Sequence, residues 1–171
     1  ISPMRRYTFV MNHPANDAQI AAAEAQLGTP IPRVLSGLCR VRDGYQIFTN
    51  LQTRQIDRTY FGVAADNLFE VNQGDGMTLL SATRNYIEVH EMFATGVDIG
   101  ALTGWICIGT ASAPHGTLDH FTYWMRPELD TRYVYVIEDD SPKSVAPPVH
   151  EQLKRPPIDF LQFIMRFTGR R

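Results

Sequence analysis

Between Leu27 and Arg33 the chain reads Gly28-Thr29-Pro30-Ile31-Pro32, and no regular element passes through such a segment. Residues that precede proline avoid the α region, so Thr29 and Ile31 are both pushed towards extended backbone. Gly28 can take the left-handed conformation that closes a helix, and Pro32 has the fixed φ of a first helical turn. One helix must therefore end here and another begin. Upstream, Asn16 is a good N-cap with Gln19 three residues on, where a capping box requires it. Ile20, Ala23 and Leu27 then recur at helical spacing. Downstream, Leu35, Leu38 and Cys39 form one apolar side, and Asp43-Gly44 supplies the stop. The spacing predicts helices over 16–27 and 33–42, joined as a hairpin.

Beyond the hairpin, Tyr45-Gln46-Ile47-Phe48 alternates with period two and reads as a strand. Residues 50–78 carry strand-like fragments (Tyr60-Phe61, Leu68-Phe69) separated by polar turns such as Gln73-Gly74-Asp75-Gly76. Ser81 is positioned to cap a third helix with Ala82, Tyr86, Val89 and Phe93 on its apolar side, and Gly96 to stop it. Three segments then read as strands: Trp105-Ile106-Cys107-Ile108, Phe121-Thr122-Tyr123-Trp124 and Tyr133-Val134-Tyr135-Val136-Ile137. The proline-rich stretch Ser141–Pro157 is expected to be an irregular connection at the surface. A final helix is expected from Ile158 to Phe167. It carries one stripe of Ile158, Leu161, Ile164 and Met165 and another of Phe160, Phe163 and Phe167, the pattern of a helix packed on several sides. No repeat or flexible linker divides the chain, so one domain is expected.

Composition narrows the function classes. A net charge of −2 gives no electrostatic reason to expect nucleic acid or an anionic membrane as partner. Two cysteines, Cys39 and Cys107, are too few for a disulfide framework and read as reduced thiols in a cytoplasmic core. No apolar run approaches the roughly 20 residues of a membrane-spanning helix, and the first residues lack the apolar stretch of a secretory signal. Ile1-Ser2-Pro3 ahead of Met4 reads as an added remnant.

Several residues invite a chemical role. A nucleophile elbow, a phosphate-binding loop, a dinucleotide fingerprint and paired zinc-type cysteines are all missing from the sequence. No cofactor is expected. His115, Asp119 and His120, with Cys107, are the residues a divalent cation would use. As loop histidines facing solvent they need no such role. His90, beside Glu88 and Glu91, fits an exposed helix face. Glu138-Asp139-Asp140, ending the Tyr133–Ile137 run, is the densest charge cluster. A solvated strand end explains it; so does a surface that meets a basic patch on a partner. With Tyr133 and Tyr135, whose aromatic rings suit an interface anchor, Glu138, Asp139 and Asp140 are the candidate partner-binding residues.

The hairpin also resembles a known family. Pro14-Ala15-Asn16-Asp17-Ala18-Gln19-Ile20, then Ala23-Glu24-Ala25-Gln26-Leu27-Gly28 and Ile31-Pro32, is similar to the opening motif of SMI1/KNR4 (SUKH) proteins. In that motif a cap, an isoleucine and a glutamate precede Leu-Gly and Leu-Pro, and Asp43-Gly44 stands at its closing turn. Trp105-Ile106-Cys107-Ile108-Gly109 resembles the family's apolar strand ending in Ile-Gly, and Phe160-Leu161-Gln162-Phe163-Ile164 its terminal helix. Where the family shows Gly-Asp after that strand, this chain has Pro114-His115-Gly116-Thr117-Leu118-Asp119. The resemblance implies a single α+β domain over 4–169, with a mostly antiparallel central sheet, the N-terminal hairpin and a C-terminal helix packed around it. It further implies a non-enzymatic binding protein of the bacterial immunity type, whose partner is a cognate toxin blocked by occlusion. The rival expectation is a small hydrolase or a ligand- or metal-binding protein using the loop from His115 to His120.

Overall fold

The computed structural model of the chain describes residues 8–11, 14–41, 43, 45–48, 78–93, 96–112, 120–138 and 147–168. Its first helix, α1 (Asp17–Leu27), is bounded as its caps require. Asn16 Oδ1 accepts the Gln19 N–H at 2.8 Å, and Gln19 Oε1 accepts the Asn16 N–H at 3.0 Å. Gly28 closes the helix at φ 71°, a left-handed conformation that disfavours any Cβ. Helix α2 (Arg33–Val41) follows. Glu24 Oε1 accepts the Ile31 N–H at 3.1 Å across the connection. The Asp17–Arg40 pair at 2.8 Å and the Ala15 N–H donated to the Cys39 carbonyl at 2.9 Å tie the open end. This is the predicted hairpin.

Tyr45–Phe48 is a strand, as its alternation predicts, and pairs antiparallel with Thr8–Met11. In chain order these are β1 (Thr8–Met11) and β2 (Tyr45–Phe48). The fragments Tyr60-Phe61 and Leu68-Phe69 lie outside the described residues. Helix α3 (Leu79–Met92) is capped by Thr78, not Ser81. Thr78 Oγ1 accepts the Ser81 N–H at 3.1 Å, while Ser81 Oγ accepts the Thr78 N–H at 2.8 Å. Ser81 thus fills the third helical position of a capping box, the place a Glu or Gln ordinarily takes. Phe93, expected on the apolar side, is 69% exposed because it falls at the C-cap, where the chain leaves the helical register.

Strands β3 (Ile106–Ser112), β4 (His120–Met125), β5 (Tyr133–Glu138) and β6 (Ile158–Asp159) form one antiparallel sheet in that order. The segments predicted at 105–108 and 133–137 therefore share a sheet, with the third predicted strand between them. Successive side chains of a strand point to opposite faces, and both faces are covered. Ile106, Ile108, Met125 and Val134 pack on one side against Ile20, Leu35, Cys39 and Phe160. Cys107, Trp124 and Ile137 pack on the other against Ala82, Tyr86, Leu102 and Val149. The architecture is α+β, a central antiparallel sheet with the hairpin and the C-terminal helix packed around it.

Both sheet edges are blunted. At the β3 edge the ladder is bulged between Cys107 and Gly109, and α3 takes up the freed donor: Thr83 Oγ1 accepts the Cys107 N–H at 2.9 Å. At the β5 edge β6 covers Tyr133 and Val134, and a buried side chain covers Glu138. Gln152 Oε1 accepts the Glu138 N–H at 2.8 Å, and Gln152 Nε2 donates to the Glu138 carbonyl at 3.2 Å and the Pro147 carbonyl at 2.8 Å.

Two C-terminal expectations are corrected. The described part of the proline-rich stretch is not wholly irregular, since it holds the helical turn α4 (Val149–Gln152), started after Pro148. The last helix, α5 (Phe160–Thr168), begins two residues later than expected because the open edge of β5 takes Ile158 and Asp159 as a strand. Asp159 Oδ1 then accepts the Leu161 N–H at 3.0 Å, capping the helix from the strand. Among the described side chains of α5, burial falls on one side rather than several. Phe160 and Phe163 enter the core, whereas Leu161 is 58% exposed and Met165 is exposed. Among the described residues no helix is long and apolar enough to cross a membrane.

Candidate functional site

The β5 strand carries three of the five candidate residues, and it separates them. Tyr133 begins the strand and is 50% exposed. Glu138 ends it, five residues on, about 17 Å away at the usual rise of a strand. The odd step also gives the two side chains opposite facing along the pleat. Glu138 Oε1 stands 3.5 Å from Arg155, so its charge is already partly answered. Asp139 and Asp140 lie outside the described residues. Tyr135 is half-buried, on the Tyr133 side of the strand.

What surrounds Tyr135 makes the more developed surface. Its ring meets that of Trp105 edge-on, with centroids 5.0 Å apart and planes at 79°. The Arg126 guanidinium carbon lies 5.4 Å from the Trp105 centroid and 5.6 Å from that of Tyr135. Strand register builds this cluster. Ile106 pairs with Met125, and Trp124 pairs with Tyr135. Trp105 and Arg126 are the next residues outward on their strands, which sets them side by side at this end of the sheet. Trp105 is half-buried and Arg126 exposed. Trp105, read from the sequence as part of a strand, also packs against the second core, and Arg126 carries no signal in the sequence pattern. The signal that could have found them is pairing register, which strand periodicity alone does not supply.

The charges around the sheet divide unequally. Arg33 pairs with Asp130 at 2.7 Å, Arg40 with Asp17 at 2.8 Å, Arg132 with Asp159 at 3.5 Å and Arg155 with Glu138 at 3.5 Å. Arg84 donates to the Gln26 carbonyl at 3.4 Å. The Arg126 guanidinium, by contrast, has no oxygen partner among the described residues and lies over the two rings.

Of the residues weighed for metal, the structure describes Cys107 and the backbone of His120. Cys107 is buried in the second core, its thiol directed at the Gly109 carbonyl at 3.5 Å. His120 opens β4 opposite Ser112, and His115 and Asp119 lie outside the described residues. Among the described residues no three His, Cys, Asp or Glu side chains converge as a metal would require. Cys39 is fully buried; that burial, then the nearby Asp43, push its thiol far above the ordinary range and leave it inert. His90, expected on an open helix face, is half-buried with its ring 4.5 Å from Tyr86, which in turn meets Trp124 edge-on at 5.1 Å.

One perturbed carboxylate is structural. Desolvation would raise Asp98, but hydrogen bonds from the His150 ring and from the His150 and Val149 N–H groups outweigh it and hold the carboxyl down to about 2. Asp98 Oδ1 accepts the Val149 N–H at 2.7 Å and Oδ2 the His150 N–H at 3.0 Å, with His150 Nδ1 at 2.7 Å. The short helix α4 is thereby capped from a distant part of the chain.

Comparison with known protein families, with characterised proteins and with solved structures finds no match.

Proposed function

We propose that the protein is a non-enzymatic binding module that associates stoichiometrically with another protein, and that its partner is a cognate bacterial toxin neutralised by occlusion. The observation that carries the association is the Trp105–Arg126–Tyr135 cluster with Tyr133 exposed beside it. Trp, Tyr and Arg dominate the few residues that supply most interface energy, and they do so best when rigid before binding. Here two strands fix the rings and the rings hold the guanidinium. The toxin as partner is supported by the likeness of the hairpin to the SMI1/KNR4 opening motif. The residues of that motif lie on the helices Asp17–Leu27 and Arg33–Val41 and the turn between them.

The test is a calorimetric titration against the product of the adjacent gene, where an immunity protein's toxin is encoded. Tight one-to-one binding that also abolishes the toxin's activity is the expected result. Titrating Asp139→Lys with Asp140→Lys in parallel asks whether the acidic end of β5 joins the interface; weaker binding is expected. A wild-type chain that neither binds nor inhibits that product would sink the reading.

A further inference from the structure

An exposed arginine without an anion is ordinarily a solvated, swinging side chain. Arg126 is not, because its guanidinium lies 5.4 Å and 5.6 Å from two ring centroids that are themselves in edge-on contact. The ring quadrupoles attract the cation to their faces, which biases the side chain towards one placement before any partner arrives. Contact with ring faces leaves the five N–H donors of the guanidinium unspent. Among the described residues no carboxylate takes them, although Glu128 is only two residues further along the same turn.

A planar fork of donors held in place is complementary to a carboxylate, which it binds through two parallel hydrogen bonds. A phosphate also fits the fork, yet its nearly doubled charge favours more than one cation. Arg132, which adjoins Tyr133, is already engaged by Asp159 at 3.5 Å. One free fork answers one carboxylate. Tyr133, 50% exposed on the same side of β5 as Tyr135, offers an apolar ring to whatever flanks that group.

We infer that Arg126 is a receptor for an Asp or Glu side chain of a protein partner, with an apolar neighbour of that residue lying on Tyr133. The inference rests on the protein-binding reading and specifies its chemistry. The β3–β4–β5 end near Arg126 receives acid, whereas the Glu138 end would meet base.

A probe independent of the toxin tests it: the capped peptide Ser-Leu-Glu-Leu-Ser, its Gln counterpart and inorganic phosphate, each followed by NMR. The Glu peptide is expected to shift the Arg126 Nε–H and Trp105 indole N–H signals saturably, with both the Gln peptide and phosphate at least about tenfold weaker. Arg126→Ala should abolish the response at unchanged melting temperature, and Arg126→Lys should lose most of it, because an ammonium keeps the charge without the fork. Equal response to phosphate, an undiminished response in Arg126→Lys, or no shift at either signal would overturn the inference. So would a concentration-dependent dimer that places a carboxylate of a second copy on Arg126. Capture of the adjacent gene's product by wild type and Arg126→Ala alike would also end it, while leaving the binding function standing. Peptide recognition without any capture of that product would do the reverse.

Discussion

The two faces of the sheet are covered by helices held in different ways. On the first face the hairpin is bounded by groups close in sequence: Asn16 with Gln19, and Glu24 with Ile31 seven residues on. Between α1, α2, α5 and the sheet lies an apolar interior of Ile20, Ile31, Leu35, Met125 and Phe163. The second face relies more on side chains that hydrogen-bond the backbone of remote parts of the chain, although the hairpin too has distant links such as Arg33 to Asp130. Thr83 reaches Cys107 across 24 residues, Gln152 reaches Glu138 across 14, and Asp98 reaches Val149 across 51. Trp124 Nε1 donates to Thr122 Oγ1 at 2.8 Å inside the same layer. The difference teaches how each face should fail. The first should lose stability by losing volume, the second by leaving donors and acceptors unmatched.

The largest expected effect is on the first face. Leu35→Ala, at a fully buried site, should cost about 2–5 kcal/mol by denaturant unfolding. A loss under about 1 kcal/mol would show that the hairpin does not anchor that core. Next comes Gln152→Ala on the second face, expected to cost about 1–3 kcal/mol because it orphans the Glu138 N–H and two carbonyls. If water restores those bonds the loss will vanish, and the contrast between the faces weakens with it. Asn16→Ala, which removes the cap of α1, should cost about 1 kcal/mol. Hydrogen exchange should then rise in the first turn of α1 and leave β5 protected; a rise in both would mean that the faces unfold together.

A smaller effect separates the faces by pH. The Asp98 carboxyl is held from an ordinary 3.8 down to about 2, so the folded state favours its ionised form. Its contribution is present in full above pH 4 and is lost as pH falls towards 2. Asp98→Asn should flatten the stability curve in that window, and an unchanged slope would remove the carboxylate from the account. The smallest expected stability effect belongs to Arg126→Ala, within about 0.5 kcal/mol, since the side chain is exposed and makes no ion pair with a described residue. A larger drop in melting temperature would mean that the cation–π contacts brace the sheet end.

Legibility followed the same division. The boundaries of α1 and α2 were readable to within a residue or so because Asn16, Gln19, Gly28 and Pro32 act within one helical turn of themselves. The strands at Tyr45, Ile106, His120 and Tyr133 were readable from alternation and β-branched or aromatic content. Ser81 was misplaced by three positions because Thr78 and Ser81 are both hydroxyl residues and only reciprocal bonding shows which one caps. Of the candidate site, Tyr133 and Tyr135 were named from the sequence. The partners of Tyr135, Trp105 and Arg126, were not, because register relates them only through β3 and β4.

By itself, then, the sequence determined what is decided within a turn or a pleat: where helices start and stop, which segments extend, and that the chain is α+β. Tertiary structure alone decided the rest. Ile158 and Asp159 belong to a strand because β5 had an open edge to offer. A four-residue helix persists at Val149–Gln152 because Asp98 caps it from 51 residues away; so short a helix is not stable alone. Arg126 is held in place because three strands bring two rings to it. Each depends on groups whose proximity is created by folding, and no local preference encodes a neighbour that the unfolded chain does not yet have.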